Sequence, residues 1–177
     1  MAERIIDTAP DAEPAKLRKS RKPLGFMPNL ISTFAGSSAA LRGYLALDRA
    51  WNQSSFSSKE RQIILLAVSV ENSCRYCAAA HATTLKAMRT DAATIAAIRK
   101  RELLPDPKQN ALVAIAREIV VGRGFASESS KRNFLAAGYG SAALMELIVG
   151  VALAAMGNYL DHLNPISIDR AFVAEAV

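Results

Sequence analysis

Chemically reactive side chains are scarce in this sequence. Its 177 residues include two cysteines, two histidines and one tryptophan, and aromatic residues make up only 6%. Two cysteines are too few for the disulfide framework of a small secreted domain. A chain of this length buries roughly two-thirds of its unfolded surface as one domain, so it needs neither a disulfide nor a metal to fold. The first thirty residues contain no apolar run of the signal-peptide kind, and the expected location is the reducing cytoplasm. The uncharged and strongly apolar segment Leu147 to Leu160 carries Asn158 and two glycines and is shorter than the roughly 20 residues that cross a bilayer. It reads as a buried helix, and no membrane partner is expected. There is no flavin or nicotinamide fingerprint, so no cofactor is expected either.

The net charge of +6 is not spread evenly. Lys16, Arg18, Lys19, Arg21 and Lys22 form one block within a polar, proline-containing arm over residues 1–22, ahead of a domain over 23–177. Nucleic-acid sites interleave aromatics with their basic residues. This block has none, so it reads as a solvated arm and nucleic acid is not an expected partner.

Half of the residues are apolar, with alanine throughout among Leu, Ile and Val, a mixture that favours closely packed helices. The expected class is all-α. Helical spacing begins at Asn29, pauses at Gly36-Ser-Ser38, and resumes through Leu41, Tyr44, Leu45, Leu47 and Trp51. Ser57-Ser-Lys-Glu60 fits a capping box and predicts a helix over 58–70. Its run Ile63-Ile-Leu-Leu-Ala-Val68 is apolar on every face, which periodicity alone also allows for a strand; the box favours a buried helix. Asn72 and Ser73 are good N-cap types, predicting a helix from Cys74 to Met88. Thr90 then caps 91–100, Pro105-Asp-Pro107 breaks the chain before 108–121, and helices over 128–136 and 141–163 follow.

Both cysteines and one histidine fall within Glu71-Asn-Ser-Cys-Arg-Tyr-Cys-Ala-Ala-Ala-His81. On a helix, Cys74, Cys77 and His81 share one face, with Glu71 just ahead. A helix N-terminus stabilises a thiolate, and Arg75 adds positive charge nearby. A thiolate that attacks a peroxide becomes a sulfenic acid, which a second thiol condenses to a disulfide. His81 is suited to proton transfer, since free imidazole titrates near neutrality. Two other readings exist. Both cysteines are small buried apolar groups beside a core histidine, or Cys74, Cys77, His81 and His162 bind zinc, although their spacing fits no common zinc module.

The run from Ser57 to His81, with its apolar helix leading into Cys-x-x-Cys-x-x-x-His, resembles the carboxymuconolactone decarboxylase and AhpD-like alkylhydroperoxidase superfamily. Pro23-Leu-Gly-Phe-Met-Pro-Asn-Leu30 and Asn158-Tyr-Leu-Asp-His162 look like flanking segments of its peroxidase-related branch. The resemblance implies a helical bundle that assembles into trimers or hexamers, reduces hydroperoxides and is re-reduced by an external dithiol. It gives Cys77 the sulfenic-acid-forming role, Cys74 the partner role and His81 the proton relay. Position alone favours Cys74 as the nucleophile, since it lies nearer the helix end. The family's glutamate falls on Gln62 and the histidine before its second cysteine falls on Tyr76. An amide cannot act as a general base, which leaves Glu71 or Glu60 to substitute or Tyr76 to supply a hydrogen bond. A non-redox lyase like the carboxymuconolactone decarboxylases and a helical metal-binding or interaction module are the alternative functions.

Overall fold

The computed structural model describes residues 25–176, and among them it contains eight α-helices, one closing 3-10 turn and no strand. The helices are α1 (Asn29–Phe34), α2 (Ser38–Asn52), α3 (Ser58–Glu71), α4 (Arg75–Ala87), α5 (Ala92–Lys100), α6 (Pro107–Val121), α7 (Glu128–Ala136) and α8 (Ser141–Leu163), and the 3-10 turn covers Arg170–Glu175. The protein is all-α, as its composition predicts. The basic block at residues 16–22 lies outside the described residues.

Helix α3 is the axis of the bundle. The Ser57 hydroxyl accepts from the Glu60 amide at 3.2 Å and the Glu60 carboxylate accepts from the Ser57 amide at 2.9 Å, so the capping box forms in full. Ile63, Ile64, Leu66, Ala67 and Val68 are all completely buried, under α4, α6, α8 and α5. An all-round apolar sequence is thus satisfied by cover on every side.

The link from α3 to α4 differs from the sequence expectation. Asn72 and Ser73 do not cap α4; they finish α3 in a Schellman turn, with the Cys74 amide donating to the Ser69 carbonyl at 2.9 Å and the Ser73 amide to that of Val70 at 3.1 Å. Ser73 takes the left-handed conformation, φ 58°, that glycine usually occupies there. Cys74 becomes the N-cap of α4, and its sulfur accepts from the Cys77 amide at 3.3 Å. Two other starts also shift. Asp91 rather than Thr90 is the N-cap of α5, and α6 begins one residue early because Asp106 caps it and Pro107 suits the first helical position.

Helix α8 is long and apolar enough to cross a membrane by length and composition. Here it runs through the bundle against α2, α3, α4 and α6, burying Leu147, Gly150, Leu153, Ala154, Gly157 and Asn158. Its cover is incomplete: Met145, Ile148, Tyr159 and Leu163 face outward. At 100° per residue these four lie within about 60° of one another, so they form one stripe.

Trp51 of α2 lies flat against Gly150, where a Cβ would stand 2.7 Å from the indole ring. The ring is 1% exposed and has no room to retreat. Gly150→Ala should therefore destabilise the fold by about 1–3 kcal/mol through overpacking, although alanine favours helix by about 1 kcal/mol. Urea unfolding checks this, and an unchanged or raised midpoint would show that Trp51 can move.

Candidate active site

The two sulfurs sit where the N-terminus of α4 meets the second half of α8, roofed by α1 and α2. Both cysteines are free thiols, buried with Leu30, Ile31, Phe34, Leu41, Ile166 and Phe172. Cys74 Sγ also donates to Asp161 Oδ2 of α8 at 3.3 Å. The other oxygen, Asp161 Oδ1, accepts from the Ile166 amide at 2.9 Å, which fixes the carboxylate against the sulfur.

Cys77 has a different environment. A hydrogen bond to Cys74, burial, and the charges of Cys74 and Asp161 push its thiol well above the ordinary range, while a hydrogen bond from Asn158 opposes them. Asn158 is fully buried; it donates to the Ser69 hydroxyl at 3.2 Å and accepts from the Asn72 amide side chain at 2.9 Å. Across the site, burial and then the charges of Cys77, Asp48 and Cys74 raise the Tyr44 phenol, so it stays protonated.

The remaining sequence candidates divide. His81 Nδ1 pairs with Gln62 Oε1 at 2.9 Å, so those two meet as the motif suggests. Burial lowers the His81 imidazole to about 4, which keeps it neutral near pH 7. Glu71 turns away from the sulfurs to Arg101 and Arg117, each at 3.2 Å. Glu60 is held by the cap, by the Tyr139 hydroxyl at 2.8 Å and by Lys108 at 3.7 Å. Tyr76 donates to Asp169 Oδ2 at 2.5 Å and accepts from the Leu30 amide at 3.2 Å, tying α1 and the C-terminal segment to α4. His162 is exposed beside Tyr159, and among the described residues no three His, Cys, Asp or Glu side chains converge to hold a metal ion.

Asp161, Asn158 and Tyr44 are the neighbours that sequence reasoning left without roles. Two of them are legible in the sequence: Asn158 and Asp161 follow the uncharged apolar run of this helix at a spacing of three, on one face. A cleft of about 500 Å³ opens beside them, lined by Ser73, Arg75, Tyr76, Asp161, His162, Pro165, Ile166 and Ile168. A second cleft, of about 580 Å³, between α6 and α7 is lined by no cysteine or histidine.

Residues 38–118 match the Carboxymuconolactone decarboxylase family. No curated protein matches the sequence. Among solved structures, an uncharacterized peroxidase-related protein from Silicibacter sp. TM1040 superposes with TM-score 0.82 at 17% identity, covering 95% of this chain and 92% of that one. An uncharacterized peroxidase-related protein with an alkylhydroperoxidase AhpD core, from Ralstonia eutropha JMP134, gives 0.80 at 19% identity over 89% and 85% of the two chains. The debrominase Bmp8 in complex with 2,3,4-tribromopyrrole gives 0.78 at 17% identity over 94% and 89%. At these identities the likeness is one of fold.

The His81 shift has a sign that can be checked. The folded pKa, about 4, lies below the ordinary 6.5. As pH falls the unfolded chain takes the proton first, so stability is complete above about 6.5 and is lost toward about 4, by roughly 1–3 kcal/mol. Thermal melts should drop between about pH 6.5 and 5, above the range where carboxylates titrate, and His81→Gln should flatten that slope. A flat wild-type profile over the same interval would show that the folded protein protonates His81 without cost.

Proposed function

We propose that this chain, which belongs to the carboxymuconolactone decarboxylase and AhpD-like superfamily, is a thiol-dependent peroxidase working through the Cys74/Cys77 pair. The observation that carries the reading is the pair itself: two free thiols at one helix N-terminus, with the Cys74 sulfur accepting from the Cys77 amide and donating to a carboxylate that lines a cleft. One thiolate attacks the distal oxygen of a hydroperoxide, forming an S–O bond and breaking the O–O bond. The alkoxide leaves and takes up a proton to become an alcohol. The second thiol displaces water from the sulfenic acid to give a disulfide. An external dithiol then returns two electrons and two protons by thiol-disulfide exchange.

His81, neutral and paired with Gln62, serves this cycle as a hydrogen-bonding partner one turn beyond Cys77. The non-redox lyase alternative leaves the paired thiols and the carboxylate beside them without a task. The cycle needs no cofactor, and a reducing compartment such as the cytoplasm suits thiols that must be regenerated.

The protein acts as a homo-oligomer, trimeric or hexameric, in which another copy covers the stripe of Met145, Ile148, Tyr159 and Leu163, residues between 51% and 72% exposed in the single chain. Contiguous apolar surface of this kind marks an association site. Light scattering should report an oligomer, and Met145→Glu combined with Ile148→Glu should shift it toward monomer. A wild type that is monomeric at high concentration would refute the assembly.

The chemistry is tested by counting thiols. One equivalent of cumene hydroperoxide should remove both thiols together and lower the intact mass by two hydrogens, with dithiothreitol restoring them. The Cys74→Ser/Cys77→Ser double variant should not consume peroxide above background. Wild-type thiols that survive an excess of peroxide would overturn the peroxidase reading.

A further inference from the structure

A peroxidatic thiol needs a group to take its proton and return it to the leaving alkoxide. The two sulfurs differ sharply in what they are offered. On the Cys77 side, the position that matches the family's glutamate is Gln62, whose amide cannot accept a proton. The imidazole it holds is a weak base, since burial brings His81 down to about 4. Glu60 and Glu71, the nearest carboxylates in sequence, are committed to the α3 cap and to two arginines. On the Cys74 side, Asp161 Oδ2 stands 3.3 Å from the sulfur, held there by the Ile166 amide on its other oxygen. Asp161 lines the open cleft and links it to the Cys74 sulfur, whereas the Cys77 sulfur is backed by Gly157 of α8.

We propose that Asp161 is the proton carrier of this site and that it makes Cys74 the attacking sulfur, with Cys77 the resolving one. The inference rests on the peroxidase reading and reverses the roles that the family resemblance gives the two cysteines. As the Cys74 S–O bond forms, the thiol proton passes to Asp161 Oδ2, and it moves on to the strongly basic alkoxide released by O–O cleavage. The carboxylate ends as it began, the peroxide oxygen is retained as Cys74–SOH, and the alcohol departs. The Cys77 thiol then attacks Cys74, and its proton leaves with the hydroxide as water. The amide of Cys77, donating to the Cys74 sulfur at 3.3 Å, stabilises the charge that develops there.

At rest the same carboxylate accepts the hydrogen of the Cys74 thiol, so proton and carboxylate are already paired before an oxidant arrives. The need for that pair separates two reagents. Iodoacetamide needs only a thiolate, whereas a hydroperoxide also needs a proton for its leaving group.

The experiment uses full-length Cys77→Ser protein, in which Cys74 is the only thiol, with and without Asp161→Asn. Asparagine keeps an oxygen for the Ile166 amide. With cumene hydroperoxide, Cys77→Ser should give a dimedone-trappable sulfenic acid on Cys74, and adding Asp161→Asn should slow this about 10²-fold. With iodoacetamide at neutral pH, the same substitution should leave the rate unchanged or raise it. If both reactions slow together, Asp161 only positions the cysteine; if neither slows, it carries no proton. Either result overturns the inference. The cysteine assignment stands apart from how the Asp161 variant folds: Cys74→Ser should react with peroxide far more slowly than Cys77→Ser, and the reverse order overturns it. A wild type that reacts with peroxide while these variants fail sinks this inference alone, whereas a wild type inert to peroxide sinks the peroxidase reading and this inference with it.

Discussion

A helix that is apolar on every face has no stable place except at the centre of other helices, and α3 sets this constraint on the whole molecule. Five consecutive or nearly consecutive side chains, Ile63 to Val68 less Leu65, have no contact with water. Burying a Leu- or Ile-sized side chain contributes about 1.5–3 kcal/mol, so leaving one side of α3 bare would forfeit more than most single interactions supply. Helices α4, α5, α6 and α8 are held around it by that demand. Because α4 follows α3 through only three residues, Asn72 to Cys74, the position of the cysteines is fixed by the same packing.

The polar groups carried into this interior are satisfied as connected sets. Asn158 joins Ser69 and Asn72, so the end of α3 is bonded to the middle of α8. Tyr76 and the Asn29 amide converge on Asp169, with the amide at 3.1 Å from Oδ2, so the C-terminal segment and α1 lock onto α4. Glu175 of the terminal turn pairs with Lys86 and Arg99. An unpaired buried polar group costs about 1–3 kcal/mol, so each set resists loss of a member. That explains why carboxylates near the motif in sequence are absent from the sulfurs: Glu60 and Glu71 already complete sets of their own. Tyr76 is likewise spent on holding the fold, within bonding reach of Asp169 and out of bonding reach of the cysteines.

Several helix ends in this protein lack the residue that makes such ends readable. Ser73, Arg89, Arg101 and Arg123 take positive φ where glycine is usual. A left-handed non-glycine residue costs about 1–2 kcal/mol, and at Ser73 it is offset by the two amide bonds of the turn and by the burial of Cys74 beyond it. Asn72 and Ser73 therefore resemble helix-start caps in the sequence although they close α3 in the structure. Their side chains suit a helix start, while the bonds that terminate α3 involve only backbone, which no residue type announces.

The local chemistry of the sequence determined most of the fold: the all-α class, the capping box at Ser57, the near-complete set of helices, and the common face of Cys74, Cys77 and His81. Each of these depends on residues within a turn or two of one another, or on a single period. The partner of each sulfur is another matter. Cys74 and Asp161 are 87 positions apart, and their contact depends on the angle and register at which α8 crosses α4. Those are set by the summed shape of many buried side chains, Trp51 on Gly150 among them, and by no spacing along the chain. The tertiary structure alone decided which carboxylate stands beside which sulfur, because that choice is made by packing between helices that have no local knowledge of each other.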